Sequence, residues 1–147
     1  MDAIDAKILR QLEKDGRVTN LQLAERIGLS PSACLRRVQA LEAAGVIKGY
    51  RAILDRAQLG AGLTVFVMVG LSGQLQRDSQ AFERAMAEAP EVIECHNVTG
   101  SVEYLLRVEV ADLAAYKHFH SDVLGTLSQV RSITSHVSLG SSKDLRA

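Results

Sequence analysis

The chain is 147 residues long and 47% hydrophobic but only 4% aromatic, with no Trp, so any core is built mainly from aliphatic side chains. No apolar run approaches the ~20 residues of a membrane helix, and Met1 is followed by Asp2 and Asp5 rather than by the basic and apolar stretches of a secretory signal, which points to the cytoplasm. The net charge of zero conceals a split: residues 1–60 hold ten Lys/Arg and seven Asp/Glu, residues 61–147 seven and ten, so a basic half suited to phosphate precedes an acidic half.

Asp2 is placed to cap a first helix that presents Ile4, Ile8, Leu9 and Leu12 on one face and ends near Asp15-Gly16. Thr19 followed by Gln22 is a capping-box pattern. It opens a second helix with Leu21, Leu23, Ala24 and Ile27 expected inward, and Gly28 closes it with a tight turn. Ser30 caps a third helix with Pro31 at its first position, where a missing amide costs nothing. Cys34, Val38 and Leu41 recur at helical spacing as its packed side, and Gly45 stops it.

Ser32, Ala33, Leu35, Arg36 and Gln39 are left facing outward. Two small residues at the helix start allow close entry into a groove about one helix wide. The planar fork of Arg36 matches a guanine edge, while Arg37 is placed for phosphate. Two β-prone runs follow, 46–50 and 52–54, with Lys48 and Arg51 near their junction, and are expected to form a wing against the DNA backbone.

The segments IDAKILRQLEKDGRVTNLQLAERIGLSPSACLRRVQALEAAGVIKGYRAILD and ECHNVTGSVEYLLRVEVADL resemble the leucine-responsive and asparagine-operon regulators, the Lrp/AsnC family. The resemblance runs over almost the whole chain. It implies a winged helix-turn-helix domain (1–54) followed by a ligand-sensing, oligomer-forming domain. It also puts Ser30, Ser32, Ala33, Leu35, Arg36 and Arg37 on the recognition helix that contacts double-stranded DNA.

Residues 55–62, DRAQLGAG, read as a hinge. In the remainder, 63–147, Leu63–Leu71 is apolar on both faces, the pattern of a strand that is either covered on both sides or donates one face to a partner chain. A helix over 79–89 with Phe82, Ala85, Met86 and Ala89 inward is closed by Pro90. Strands are expected at 92–98, 104–110 and 133–139. Between the last two, Asp112 caps a helix carrying Leu113, Tyr116, Phe119, Val123 and Leu127. This βαββαβ order predicts a ferredoxin-like sandwich and an α+β protein overall. Its helices cover one sheet face, so a second copy of the chain is expected on the other, giving a homodimer; the family resemblance implies further assembly to a tetramer or octamer.

The turn 98–104, VTGSVEY, is the candidate ligand site. Gly100 permits close backbone approach, Thr99 and Ser101 supply hydroxyls and Glu103 answers an ammonium group, with Tyr104 completing the set for a small amino acid effector. A plain hairpin turn fits the same residues. In the family the resemblance names, effectors bind near this turn, although many members carry Asp at the positions of Ser101 and Glu103. No metal or other cofactor is expected. His118 and His120 lie two apart on a helix and point apart, and Cys95-His96 are adjacent on a strand, so neither pair makes a metal clamp or a nucleophile–base pair. The chain is therefore not read as an enzyme; the alternative is an oligomeric metabolite- or metal-binding protein with little sequence-specific DNA binding.

Overall fold

The computed structural model describes residues 1–73 and 75–144. The chain forms two compact units, Met1–Ala52 and Ile53–Ala147.

The first unit holds helices α1 (Ala3–Lys14), α2 (Asn20–Ile27) and α3 (Pro31–Ala43). Each begins at an expected side-chain cap: Asp2 accepts from the amides of Ile4 and Asp5, Thr19 from Gln22, and Ser30 from Ala33. These contacts satisfy amide protons that have no partner within the helix. Gly28 adopts the left-handed conformation at φ 80°, as does Gly45 at φ 70°, and both redirect the chain without a Cβ clash. Ile8, Leu23, Ala24, Cys34 and Leu41 form the buried core, with Val38 and Ile27 packed against it. Leu21 is 58% exposed instead of buried. Two residues are a 200° rotation, so Leu21 cannot share a face with Leu23. The expected wing strands are absent. Residues 46–62 contain no strand, because the amides of Val46 and Ile47 turn back to the Leu41 carbonyl and the Tyr50 hydroxyl is tied to Glu42.

In the second unit residues 55–61 coil back on themselves. Asp55 caps Gln58, and the Ala61 amide reaches the Arg56 carbonyl. Four strands follow: β1 (Leu63–Leu71), β2 (Val92–Asn97), β3 (Tyr104–Val110) and β4 (Val130–Val137), in the antiparallel order β2-β3-β1-β4. This is the ferredoxin-like arrangement, with α4 (Gln76–Glu88) and α5 (Leu113–His118) as its helices. α4 begins three residues before the expected Ser79 because Leu75 supplies no side-chain cap to mark the start. α5 passes into a π-helical turn at Phe119–Val123 and a 3-10 turn at Leu124–Thr126. The wider turn delays the inward position by one residue. Leu124, rather than the expected Val123, is therefore fully buried beside Tyr116 and Phe119, while Leu113 is exposed.

The pleat sorts the sheet's two faces. Val65, Val67, Val69 and Leu71 of β1 and Tyr104, Leu106, Val108 and Val110 of β3 are buried against Phe82 and Met86 of α4, together with Phe119 and Leu124. The other face carries the row His136, Phe66, Arg107, Glu94 and, next to it, Thr134, Met68, Leu105, His96.

Candidate nucleic-acid interface and ligand turn

The candidate reading surface is the outer side of α3. Its start is fixed by the turn from α2: the amides of Gly28 and Leu29 both bond the Ala24 carbonyl, and the Asn20 side chain donates to the Pro31 carbonyl at 2.8 Å. Cys34 and Leu41 hold the inner side in the core, so the remaining positions project outward by helical geometry. Ser30, Ser32, Leu35 and Arg36 are exposed and Ala33 is half-buried. Ser32, Ala33 and Arg36 together line a shallow concavity of about 240 Å³. Lys48 and Arg51, beyond the helix, are also exposed.

Arg37 departs from the expectation of a phosphate contact. Its Nη1 donates to Asp2 Oδ2 at 2.8 Å and to Asp5 Oδ1 at 2.7 Å, which turns the guanidinium toward α1. One residue is a 100° step around the helix, so Arg36 and Arg37 cannot face the same way. The carboxyls of Asp2 and Asp5 lie below the usual carboxylate range. Each is held there first by the other residue's backbone amide and then by the Arg37 guanidinium. Groups depressed in the folded state contribute stability that is present above their unfolded pKa and lost as pH falls through the folded value. Thermal melts of the full chain between about pH 5 and pH 2 should therefore show an acid-driven loss in the first unit that Asp2→Asn/Asp5→Asn lacks. Parallel pH profiles for the two proteins would count against the pair.

The candidate ligand turn joins β2 to β3. It is closed by the Val98 amide donating to the Glu103 carbonyl at 2.9 Å, and Gly100 sits at φ 123°, a conformation that favours glycine. Thr99, Gly100 and Ser101 lie together on its exposed tip. Glu103 and Tyr104 do not join them. Glu103 Oε2 accepts from the Leu71 amide at 2.7 Å, at the irregularity between Gly70 and Leu71 where β1 shifts register against β4. Gly70 is tightly covered there: a Cβ would stand 2.4 Å from Ser132 Oγ and 3.7 Å from Glu103 Oε2. Tyr104 belongs to the core on the opposite face. It is 1% exposed, its ring centroid is 4.6 Å from that of Phe82, and its hydroxyl donates to Glu83 at 2.6 Å. Burial and that carboxylate push the phenol up. Strand alternation accounts for Tyr104, which must point to the face opposite Glu103, whereas Glu103 is held by the register shift at Gly70/Leu71.

Sequence reading missed the ion-pair network at the far end of this sheet. Glu109, with its side chain 4% exposed, pairs with Arg107 at 3.1 Å and with Arg56 at 3.3 Å. Arg107 also reaches Asp144 at 2.6 Å. The charged positions interrupt an apolar strand, and that interruption was the available signal. Among the other polar groups, His118 pairs with Asp122 at 2.6 Å on the exposed side of the π turn. Burial, and secondarily the charge of Glu83, pushes the Cys95 thiol up to about 11, far from a reactive thiolate. Among the described residues no cluster of three or more His, Cys, Asp or Glu is placed to hold a metal, and no helix is long and apolar enough to cross a membrane.

A family model for the winged helix-turn-helix DNA-binding domain matches residues 1–48, and one for the Lrp/AsnC ligand binding domain matches residues 64–147. The leucine-responsive regulatory protein of Rhizobium meliloti is 43% identical over 144 residues, covering 98% of this chain and 92% of the relative. That of Escherichia coli is 40% identical over 137 residues, covering 93% and 84%. Among solved structures, a transcriptional regulator of Neisseria meningitidis in complex with L-methionine superposes with a TM-score of 0.94 at 36% identity, covering 98% of this chain and 93% of that one. An AsnC family regulator from Agrobacterium tumefaciens gives 0.93 at 35% identity, covering 98% and 94%. With its helix-turn-helix unit and its four-stranded antiparallel unit both accounted for, the chain belongs to the Lrp/AsnC family of DNA-binding transcriptional regulators.

Proposed function

We propose that this regulator acts in the cytoplasm as a homodimer or a higher assembly, a tetramer or octamer, that reads a two-fold operator. Ser32, Ala33, Leu35 and Arg36 of α3 meet base edges in the major groove, with Ser30, Lys48 and Arg51 on the sugar-phosphate backbone. The observation that carries this reading is the concavity of Ser32, Ala33 and Arg36 on the side of α3 opposite its buried residues. Pairing through the sheet face of Phe66, Met68 and Leu105 sets two such helices to span half-sites one turn of duplex, about 34–36 Å, apart. We place the hinge, expected over 55–62, at the division between Ala52 and Ile53, because residues 55–61 are tied into the second unit by their own turn and by the Arg56–Glu109 pair.

The test is random-site selection with the purified protein, repeated with a panel of amino acids. Recovery of a two-fold motif supports the reading, and a pool without sequence preference sinks it. Binding to the selected site should also weaken steeply with salt, because each phosphate contact displaces condensed cations.

A small amino acid is the proposed effector, supported by the L-methionine complex of the Neisseria relative. The exposed tip Thr99, Gly100 and Ser101 offers two hydroxyls and backbone amides to its carboxylate. Gly100→Asp places a β-carbon in a conformation costing about 1–3 kcal/mol and a negative charge against that carboxylate. It should reduce the amino acid response while leaving DNA binding without ligand intact. An undiminished response, measured by calorimetry and by ligand-dependent mobility shift, would place the effector elsewhere.

A further inference from the structure

The capping box of α1 leaves one oxygen of each carboxylate over. Asp2 Oδ1 is taken by the amides of Ile4 and Asp5 at 2.9 Å each, and Asp5 Oδ2 by the Asp2 amide at 3.0 Å. The remaining oxygens, Asp2 Oδ2 and Asp5 Oδ1, converge on the single nitrogen Arg37 Nη1. Both carboxylates are thus fixed by backbone before they meet the arginine, so the grip costs little further side-chain freedom. The contact spans 32 and 35 residues of chain and ties the amino end of α1 to the middle of α3. We propose that Asp2 and Asp5 are positioning residues for DNA reading: through Arg37 they fix the rotation of α3 and with it the direction of Arg36.

The proposal rests on α3 being the reading helix. Side-chain surfaces lie about 5–6 Å from a helix axis, so a rotation of roughly 15° displaces them by about 1.4 Å. A bidentate hydrogen bond of ordinary length does not survive that displacement. Charge points the same way. The trio Asp2, Asp5 and Arg37 carries a net charge of −1, so Arg37 brings no net attraction to phosphate as long as it is held.

The experiment compares the full chain with Asp5→Asn, Arg37→Gln, Arg37→Lys and the Asp5→Asn/Arg37→Gln double variant. Dissociation constants are measured for a selected site and for a scrambled duplex over a series of salt concentrations, at a temperature where circular dichroism shows every protein fully folded. Asp5→Asn should weaken binding to the selected site about tenfold, a coupling of ordinary size for residues in one network. It should leave scrambled-duplex binding and the salt slope unchanged. The double variant should be no worse than Arg37→Gln alone, and Arg37→Lys, which keeps a donor to the acids, should recover part of the preference.

The opposite signs overturn the proposal. If Arg37 is a phosphate contact held back by the acids, Asp5→Asn tightens both duplexes and Arg37→Gln flattens the salt slope by about 0.9 per contact. Equal losses on both duplexes, or additive losses in the double variant, also overturn it. Arg36→Ala run beside them separates the two levels: unchanged binding there removes α3 as the reader whatever Asp5→Asn does.

Discussion

Arg36→Ala is expected to abolish site-specific mobility shifts while leaving the size of the assembly unchanged. Arg36 is exposed on α3 and lines the concavity with Ser32 and Ala33. No ion pair to Arg36 is present among the described residues, in contrast to Arg37, whose Nη1 is shared by two acids. A good bidentate arginine–guanine contact contributes about 1–3 kcal/mol of discrimination. The proposed homodimer loses it at both half-sites, so the selected site should be weakened by about 2–6 kcal/mol in all, enough to bring it close to non-specific binding. The substitution touches neither the core of the first unit nor the sheet of the second, so melting temperature and sedimentation should not move. The measurement pairs fluorescence anisotropy on selected and scrambled duplexes with analytical ultracentrifugation. Retention of the wild-type preference would transfer the reading function away from Arg36.

The contrast between neighbouring arginines shows how far the sequence was legible. Asp2, Thr19 with Gln22, and Ser30-Pro31 act within three residues of themselves, and the helix starts they mark are the ones observed. The bounds of β1 and β3 follow from alternating or continuous apolar runs, which are local as well. What escaped was non-local. Arg37, expected at phosphate, is engaged instead by acids more than thirty residues away. Glu103 is drawn onto the Leu71 amide by a register shift that nothing near Glu103 announces. Tyr104 shows a failure of another kind, since it was grouped with the turn although strand alternation already sent it to the face opposite Glu103. The wing strands failed because β-propensity reports fit to a pleated surface, and residues 46–54 form no strand pairing.

Met68→Asp should convert the proposed assembly to monomers and lower DNA affinity by about 10²–10⁴-fold. Met68 stands in the middle of the sheet face opposite α4 and α5, between Thr134 and Leu105 and one row from Phe66. The helix-side core of Val65, Val67 and Val69 is untouched by the change, so each protomer keeps its fold. In a two-fold contact every substitution appears twice. Each copy then brings a carboxylate into an apolar interface with no partner, and an uncompensated buried charge costs about 3–5 kcal/mol. A monomer holds one reading helix. It loses both the second half-site and the effective concentration that joins the two, which multiplies affinity by about 10²–10⁴ without any added contact. Sedimentation at micromolar concentration and anisotropy on the selected site should therefore change together. A Met68→Asp protein that still sediments as the wild type would mean that the copies meet through a different surface, and the half-site spacing would then have to follow from that one.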